Sequence, residues 1–152
     1  MLETGIKAPS FTIPTDTGSF SMADKVGKNV VVFFFPRADT SGCTKEAIAF
    51  SGLMEDFGAA GCEVIGISKD TATKQGKFRA KHGLTCELGA DDGSDVCEQF
   101  GVWVEKSMYG RTYMGIQRAT FLVDGTGTIA AVWPKVKVAG HAEEVLEQVN
   151  AL

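Results

Sequence analysis

Val30-Val31-Val32-Phe33-Phe34-Phe35-Pro36-Arg37-Ala38-Asp39-Thr40-Ser41-Gly42-Cys43-Thr44-Lys45-Glu46 is the stretch on which the reading of the fold turns. Its first six residues are apolar without alternation, the pattern of a strand covered on both faces. Pro36 ends that strand, since it brings no N–H to a ladder. A loop follows, and from about Thr44 to Ala60 the residues Phe50, Leu53, Met54 and Phe57 recur at helical spacing. A buried strand feeding a helix through a loop is the opening unit of an α/β sheet.

Working outward, Gly61 ends the helix and Val64-Ile65-Gly66-Ile67 reads as a second buried strand. A polar helix from about Thr71 to His82 follows, with Gly83 as its C-terminal cap. A short strand near Cys86 to Leu88 and a helix from about Ser94 to Phe100 continue the alternation. After a Gly- and Tyr-rich loop, Ala119 to Val123 and Thr128 to Trp133 are strands joined by the turn Asp124-Gly125-Thr126-Gly127. A last helix sets Val145, Val149 and Leu152 on one stripe, with Glu143 and Glu144 near its positive end. On the amino side, Phe11 to Pro14 and Ser19 to Ser21 flank a turn at Asp16-Thr17-Gly18, a hairpin signal. This order predicts an α/β protein with a mixed central sheet, helices on both faces and an N-terminal β-hairpin. A thioredoxin-like fold satisfies it, as do other α/β sandwiches.

The chain has 152 residues and shows no repeat, linker or low-complexity tract, so residues 1–152 are expected to form one domain. A net charge of −4 disfavours nucleic acid, which calls for an excess of Lys and Arg. The longest apolar run, Val30 to Phe35, is too short to span a bilayer, and Met1 to Gly5 lacks the pattern of a signal peptide. A cytoplasmic location without a membrane partner is expected. The four cysteines, at 43, 62, 86 and 97, include no close pair, which argues against zinc and against a disulfide framework. His82 and His141 stand alone on polar stretches and read as surface residues. No metal or organic cofactor is expected, and Gly110 to Gly115 lacks the Lys-Ser/Thr ending of a phosphate loop.

Cys43 is the residue most suited to chemistry. It lies in the first turn of a helix, where free N–H groups and the helix dipole favour a thiolate. The plainer reading, a small apolar residue packed at a helix start, fits less well with a preceding loop of this composition.

Pro36, Thr40 and Cys43 reproduce the P-x-x-x-T-x-x-C signature of peroxiredoxins. Together with Met108 to Phe121 and Gly101-Val102-Trp103, the chain resembles the PrxQ (bacterioferritin comigratory protein) branch of that family over nearly its whole length. The resemblance implies a thioredoxin-like fold and reduction of hydrogen peroxide or alkyl hydroperoxides, at the expense of thioredoxin or a similar thiol. It implies a monomer. It also implies roles for the matched residues: Cys43 attacks the peroxide, Thr40 bridges thiolate and peroxide, Arg118 stabilises the charges, and Pro36 walls the pocket. Glu46, one turn after Cys43, would orient Arg118.

Two departures from the PrxQ pattern concern the second cysteine that resolves the oxidised thiol. Five residues after Cys43 stands Ile48, and the matching position in the next helix is Arg79. Resolution then falls to Cys62, Cys86 or Cys97, or to an outside thiol in a one-cysteine cycle. A thiol–disulfide oxidoreductase would need Cys-x-x-Cys where this chain has Cys43-Thr44-Lys45-Glu46. A redox sensor shares the reactive thiol but reacts only once, and a copper chaperone would need a second soft ligand.

Overall fold

The computed structural model describes residues 1–152, and its centre is the strand β3 (Asn29–Phe34). Successive side chains of a strand point to opposite faces. Val30, Val32 and Phe34 accordingly enter one apolar cluster, and Val31, Phe33 and Phe35 enter another. This is why the run carries no alternation: both faces are covered.

Before β3 come the hairpin strands β1 (Thr12–Thr15) and β2 (Gly18–Ser21). After it come α1 (Ser41–Gly52), α2 (Met54–Ala59), β4 (Cys62–Ser68), α3 (Ala72–His82), β5 (Glu87–Ala90) and α4 (Val96–Phe100). The chain closes with β6 (Trp103–Met108), β7 (Arg111–Ile116), β8 (Ala119–Val123), β9 (Ile129–Trp133) and α5 (His141–Asn150). Seven strands form one sheet in the order β2-β1-β5-β4-β3-β8-β9. Within it β3, β4 and β5 run parallel, while β8 lies antiparallel to β3. The cluster on one face takes Val96, Cys97 and Phe100 from α4, and the other takes residues of α1, α2, α3 and α5. The expected mixed sheet with helices on both faces, and its N-terminal hairpin, are present.

Four expectations need correction. The helix expected over Thr44 to Ala60 begins at Ser41 and is broken at Leu53, directly after Gly52, a residue that weakens helices. The expected Gly- and Tyr-rich loop contains a separate two-stranded hairpin, β6 with β7, turning at Tyr109-Gly110. Leu152 lies beyond α5 and is exposed, while His141 begins the buried stripe of that helix. The expectation of a surface His141 fails for the same reason. Its Nε2 lies 2.8 Å from the Thr120 hydroxyl, and its ring packs edge-on against Phe50 and Trp133. Burial holds it below the usual histidine range, so it is neutral in the core.

The helix that carries Cys43 is tied to the sheet through Phe33, whose ring stacks on Phe50 of α1 at 4.5 Å between centroids. On its other side that ring covers Gly66 of β4, where a Cβ would lie only 2.4 Å from Phe33 Cζ. Clamped between Gly66 and Phe50, the ring cannot retreat. Gly66→Ala is therefore expected to destabilise the protein by about 1–3 kcal/mol, read as a lower midpoint of urea unfolding. An unchanged midpoint would show that Phe33 has room to shift.

Candidate active site

The sheet register explains why residues far apart in sequence meet. Phe34, the last residue of β3, pairs with Ala119, the first of antiparallel β8. The residues after Phe34 and those before Ala119 thus share one end of the sheet. Arg118 is delivered there, 75 residues away from the cysteine that follows β3.

Along α1 the buried residues are Cys43, Glu46, Ala47 and Phe50, at the i, i+3, i+4, i+7 spacing of one helix face. Ala47 and Phe50 pack into the core, and the same face turns Cys43 and Glu46 inward toward Arg118. Cys43 is 1% exposed, as is Glu46. Arg118 donates from Nη2 to Cys43 Sγ at 3.2 Å and from Nη1 to Glu46 Oε1 at 2.7 Å. One planar guanidinium thus fixes a thiol and a carboxylate together, a geometry a lysine could not reproduce. The close approach has a steric condition: a Cβ on Gly42 would lie 3.2 Å from Arg118 Nη2.

Of the other expected residues, Thr40 occupies the N-cap position of α1, but its side chain caps nothing. Its hydroxyl donates instead to the Arg37 carbonyl at 2.8 Å, leaving its oxygen lone pairs open. Pro36 is exposed at the end of β3, after Phe35 has made a last backbone bond to Ile67. The structure brings Cys43, Glu46 and Arg118 into direct contact, and it sets Thr40 one residue before the same helix.

Several neighbours escaped the sequence reading. Lys106 of β6 donates to the Ile116 carbonyl, close to Arg118. Burial and the Arg118 charge hold it below the usual lysine range, against a smaller opposing effect of Cys43. Seeing β6 and β7 as strands would have placed it. Asp39 adopts φ +62, an uncommon conformation for a residue with a side chain. Its carboxylate receives Lys81 Nζ at 2.9 Å and meets His82 Nε2 at 2.8 Å, while Ala38 N–H donates to Asp70. These contacts pin the loop before Cys43 to α3. His82, expected at the surface without a role, is one of the pins.

Burial pushes the Glu46 carboxyl up from 4.5 to about 7, with Arg118 pulling the other way. Glu46 Oε2 has no hydrogen-bond partner, which agrees with a carboxyl that holds its proton easily. An acid whose folded pKa is raised gives stability that is complete below the unfolded value and lost as pH rises through the folded one. Between about pH 4.5 and 7 the wild type should lose on the order of 3 kcal/mol through this group. Glu46→Gln is expected to flatten that loss, measured as the difference in urea-unfolding free energy between pH 5 and pH 7.5. An equal slope in both proteins would assign the pH dependence elsewhere.

The AhpC/TSA family model matches residues 4–132. Peroxiredoxin Bcp of Bacillus subtilis is 41% identical over 147 residues, covering 96% of this chain and 94% of its own. Peroxiredoxin Bcp of Escherichia coli is 41% identical over 146 residues, covering 95% and 94%. Among solved structures, peroxiredoxin Q of Xanthomonas campestris is 34% identical, with a TM-score of 0.91 over 97% of each chain. Structures of the bacterioferritin comigratory protein of that organism, studied for its alkyl peroxide reduction activity, superpose with a TM-score of 0.91 at 33% identity over 98% of each chain. The sheet of this chain is that of the thioredoxin-fold peroxiredoxins, and relatives at this identity over this length share an activity as well as a fold: the chain belongs to the AhpC/TSA family, as a thiol-dependent peroxidase of the peroxiredoxin type.

Proposed function

We propose that Cys43 is the peroxidatic residue and that hydrogen peroxide and alkyl hydroperoxides are its substrates. The observation that carries this reading is the Arg118 Nη2 contact to Cys43 Sγ at 3.2 Å in a buried site. The thiolate attacks one peroxide oxygen in line. A sulfur–oxygen bond forms, the oxygen–oxygen bond breaks, and the departing alkoxide takes a proton to leave as alcohol or water. Arg118 offsets negative charge on the sulfur and then on the departing oxygen. Thr40 can accept from the peroxide through its open lone pairs, and Pro36 borders the entrance. Glu46 acts through Arg118 as a positioning residue.

Three features favour a one-cysteine cycle. Cys97 belongs to the cluster on the opposite face of the sheet from Cys43. Cys62 opens β4 beside Asn29, whereas the site lies at the other end, where Phe34 pairs with Ile67. Five residue steps separate those ends, about 16–17 Å. Cys86 contacts Ser51 at the far end of α1, eight residues or about 12 Å along the helix from Cys43. A disulfide needs Cα atoms within about 7 Å. Burial also pushes the Cys86 thiol up to about 11 and the Cys62 thiol up to about 12, and raises Cys97 further, so none supplies a thiolate at neutral pH. The sulfenic acid on Cys43 is therefore left for an outside thiol, thioredoxin or another.

The protein acts in this reading as a cytoplasmic, single-domain monomer without nucleic-acid or membrane partners. Its net charge of −4 speaks against a nucleic-acid partner, and no helix is long and apolar enough to cross a membrane. The test is intact-mass spectrometry after one equivalent of hydrogen peroxide, with peptide mapping. One added oxygen on Cys43 is expected. A loss of two hydrogens would replace the one-cysteine cycle by an internal disulfide, and an unmodified Cys43 would remove the peroxidatic assignment.

A further inference from the structure

We infer that the cleft between the Arg37–Asp39 loop and α3 binds the carboxylates of a small anionic thiol, the reductant that returns Cys43 to its thiol state; this rests on the peroxidase reading above. The cleft has a volume of about 400 Å³, within the size range of small-molecule sites. Four cations line it, Arg37, Lys74, Lys77 and Lys81, against two carboxylates, Asp39 and Asp70. Both carboxylates are already committed: Asp39 to Lys81 and His82, and Asp70 to the Ala38 N–H and the Ser68 hydroxyl. Arg37, Lys74 and Lys77 have no ion-pair partner at all.

A protein of net charge −4 thus gathers uncompensated positive charge at one concave place. Ordinary exposed lysines are solvated one by one and need no explanation. These three cations instead share a cleft with the loop that leads into Cys43. Both walls leave the carboxyl ends of the parallel strands β3 and β4, the end of the sheet where Cys43 lies. A negatively charged thiol held there by its carboxylates is concentrated against the loop that leads into Cys43, at the same end of the sheet. Concavity and size favour a small molecule over the flat contact of a protein reductant.

The chemistry closes. A first thiol, RSH, attacks the Cys43 sulfenic acid to form a mixed disulfide and release water. A second RSH displaces Cys43 as a thiol and leaves RSSR. Two thiols are oxidised by two electrons in total, and one peroxide is reduced.

Glutathione, which carries two carboxylates and a net negative charge, is the probe, and cysteamine is its cationic counterpart. Cys43 is first oxidised with one equivalent of hydrogen peroxide, and reduction of the sulfenic acid is then timed against each thiol. In wild type, glutathione is expected to outpace cysteamine once both rates are corrected for thiolate fraction, with the advantage shrinking at high salt. In Lys74→Glu/Lys77→Glu the glutathione rate constant is expected to fall about tenfold and the cysteamine rate to rise. The same ranking in both proteins overturns the inference, and so does reduction by a thioredoxin alone. Failure of the first step, with no sulfenic acid formed, is a separate result that removes the peroxidase reading. The cleft is then judged by titrating reduced protein with S-methylglutathione while following amide NMR shifts. Shifts in α3 that vanish in the double variant support binding there, and their absence overturns it.

Discussion

Cys43→Ser is expected to abolish peroxide turnover, lowering kcat/KM by at least about three orders of magnitude, while leaving the fold as stable as before. A serine hydroxyl attacks well only when a base takes its proton. The group bonded to Cys43 is the Arg118 guanidinium, which donates protons and accepts none, and Glu46 is turned to that same guanidinium. The site offers a guanidinium to a sulfur nucleophile and no base to an oxygen one. The fold should tolerate the change, because a hydroxyl can still accept from Arg118 Nη2 and the Arg118–Glu46 pair stays closed. Peroxide consumption with a thiol reductant and the urea midpoint check the two halves separately. Residual turnover at a tenth of wild type would move the chemistry to another residue.

The course of the central strand and the position of Cys43 were legible because local rules decide them. A short unbroken run of Val and Phe from Val30 to Phe35, closed by Pro36, has the length and composition of a strand covered on both sides. The β6–β7 hairpin was missed for the opposite reason. It lies outside the main sheet, leaves Met108, Tyr109, Tyr113 and Met114 exposed, and shows none of the apolar alternation that burial of one face imposes. His141 misled because it was read with Glu143 and Glu144, whereas it shares the buried face of Ala142, Val145 and Val149, where the Thr120 hydroxyl bonded to its ring makes burial tolerable.

The site was legible by halves. Helical spacing places Glu46 on the face of Cys43, a fact any helical wheel contains. Arg118 joins them through the pairing of Phe34 with Ala119, which no local rule shows, so only the likeness to peroxiredoxins singled it out. The cleft of Arg37, Lys74 and Lys77 was invisible in the same way. Its two walls follow different strands, and only the parallel pairing of β3 with β4 sets them side by side.

Arg118→Met is expected to slow oxidation of Cys43 by roughly two to three orders of magnitude and to destabilise the protein in a pH-dependent way. The kinetic loss follows from the removed donor: without Nη2 the buried sulfur loses its guanidinium contact and the departing oxygen its countercharge. The stability loss has a different origin. Removing one partner of a buried ion pair leaves the other uncompensated, at a cost of about 3–5 kcal/mol when it stays charged. Glu46 escapes part of that cost by protonating, since burial already pushes its carboxyl up to about 7 with Arg118 opposing. In the variant only burial acts, so the carboxyl moves higher still. Its folded value then lies further above the unfolded one, and stability keeps falling with pH beyond the point where the wild type levels off. The gap between the two proteins should therefore widen from pH 5.5 to pH 8.5 in urea-unfolding free energy. Arg118→Met/Glu46→Gln separates the two effects: the second change removes the stranded charge, so stability at pH 8.5 should recover while oxidation of Cys43 stays slow. Recovery of both would mean that Arg118 serves only to neutralise Glu46. Recovery of neither would mean that the guanidinium holds the site together by packing, with its charge incidental to both fold and rate.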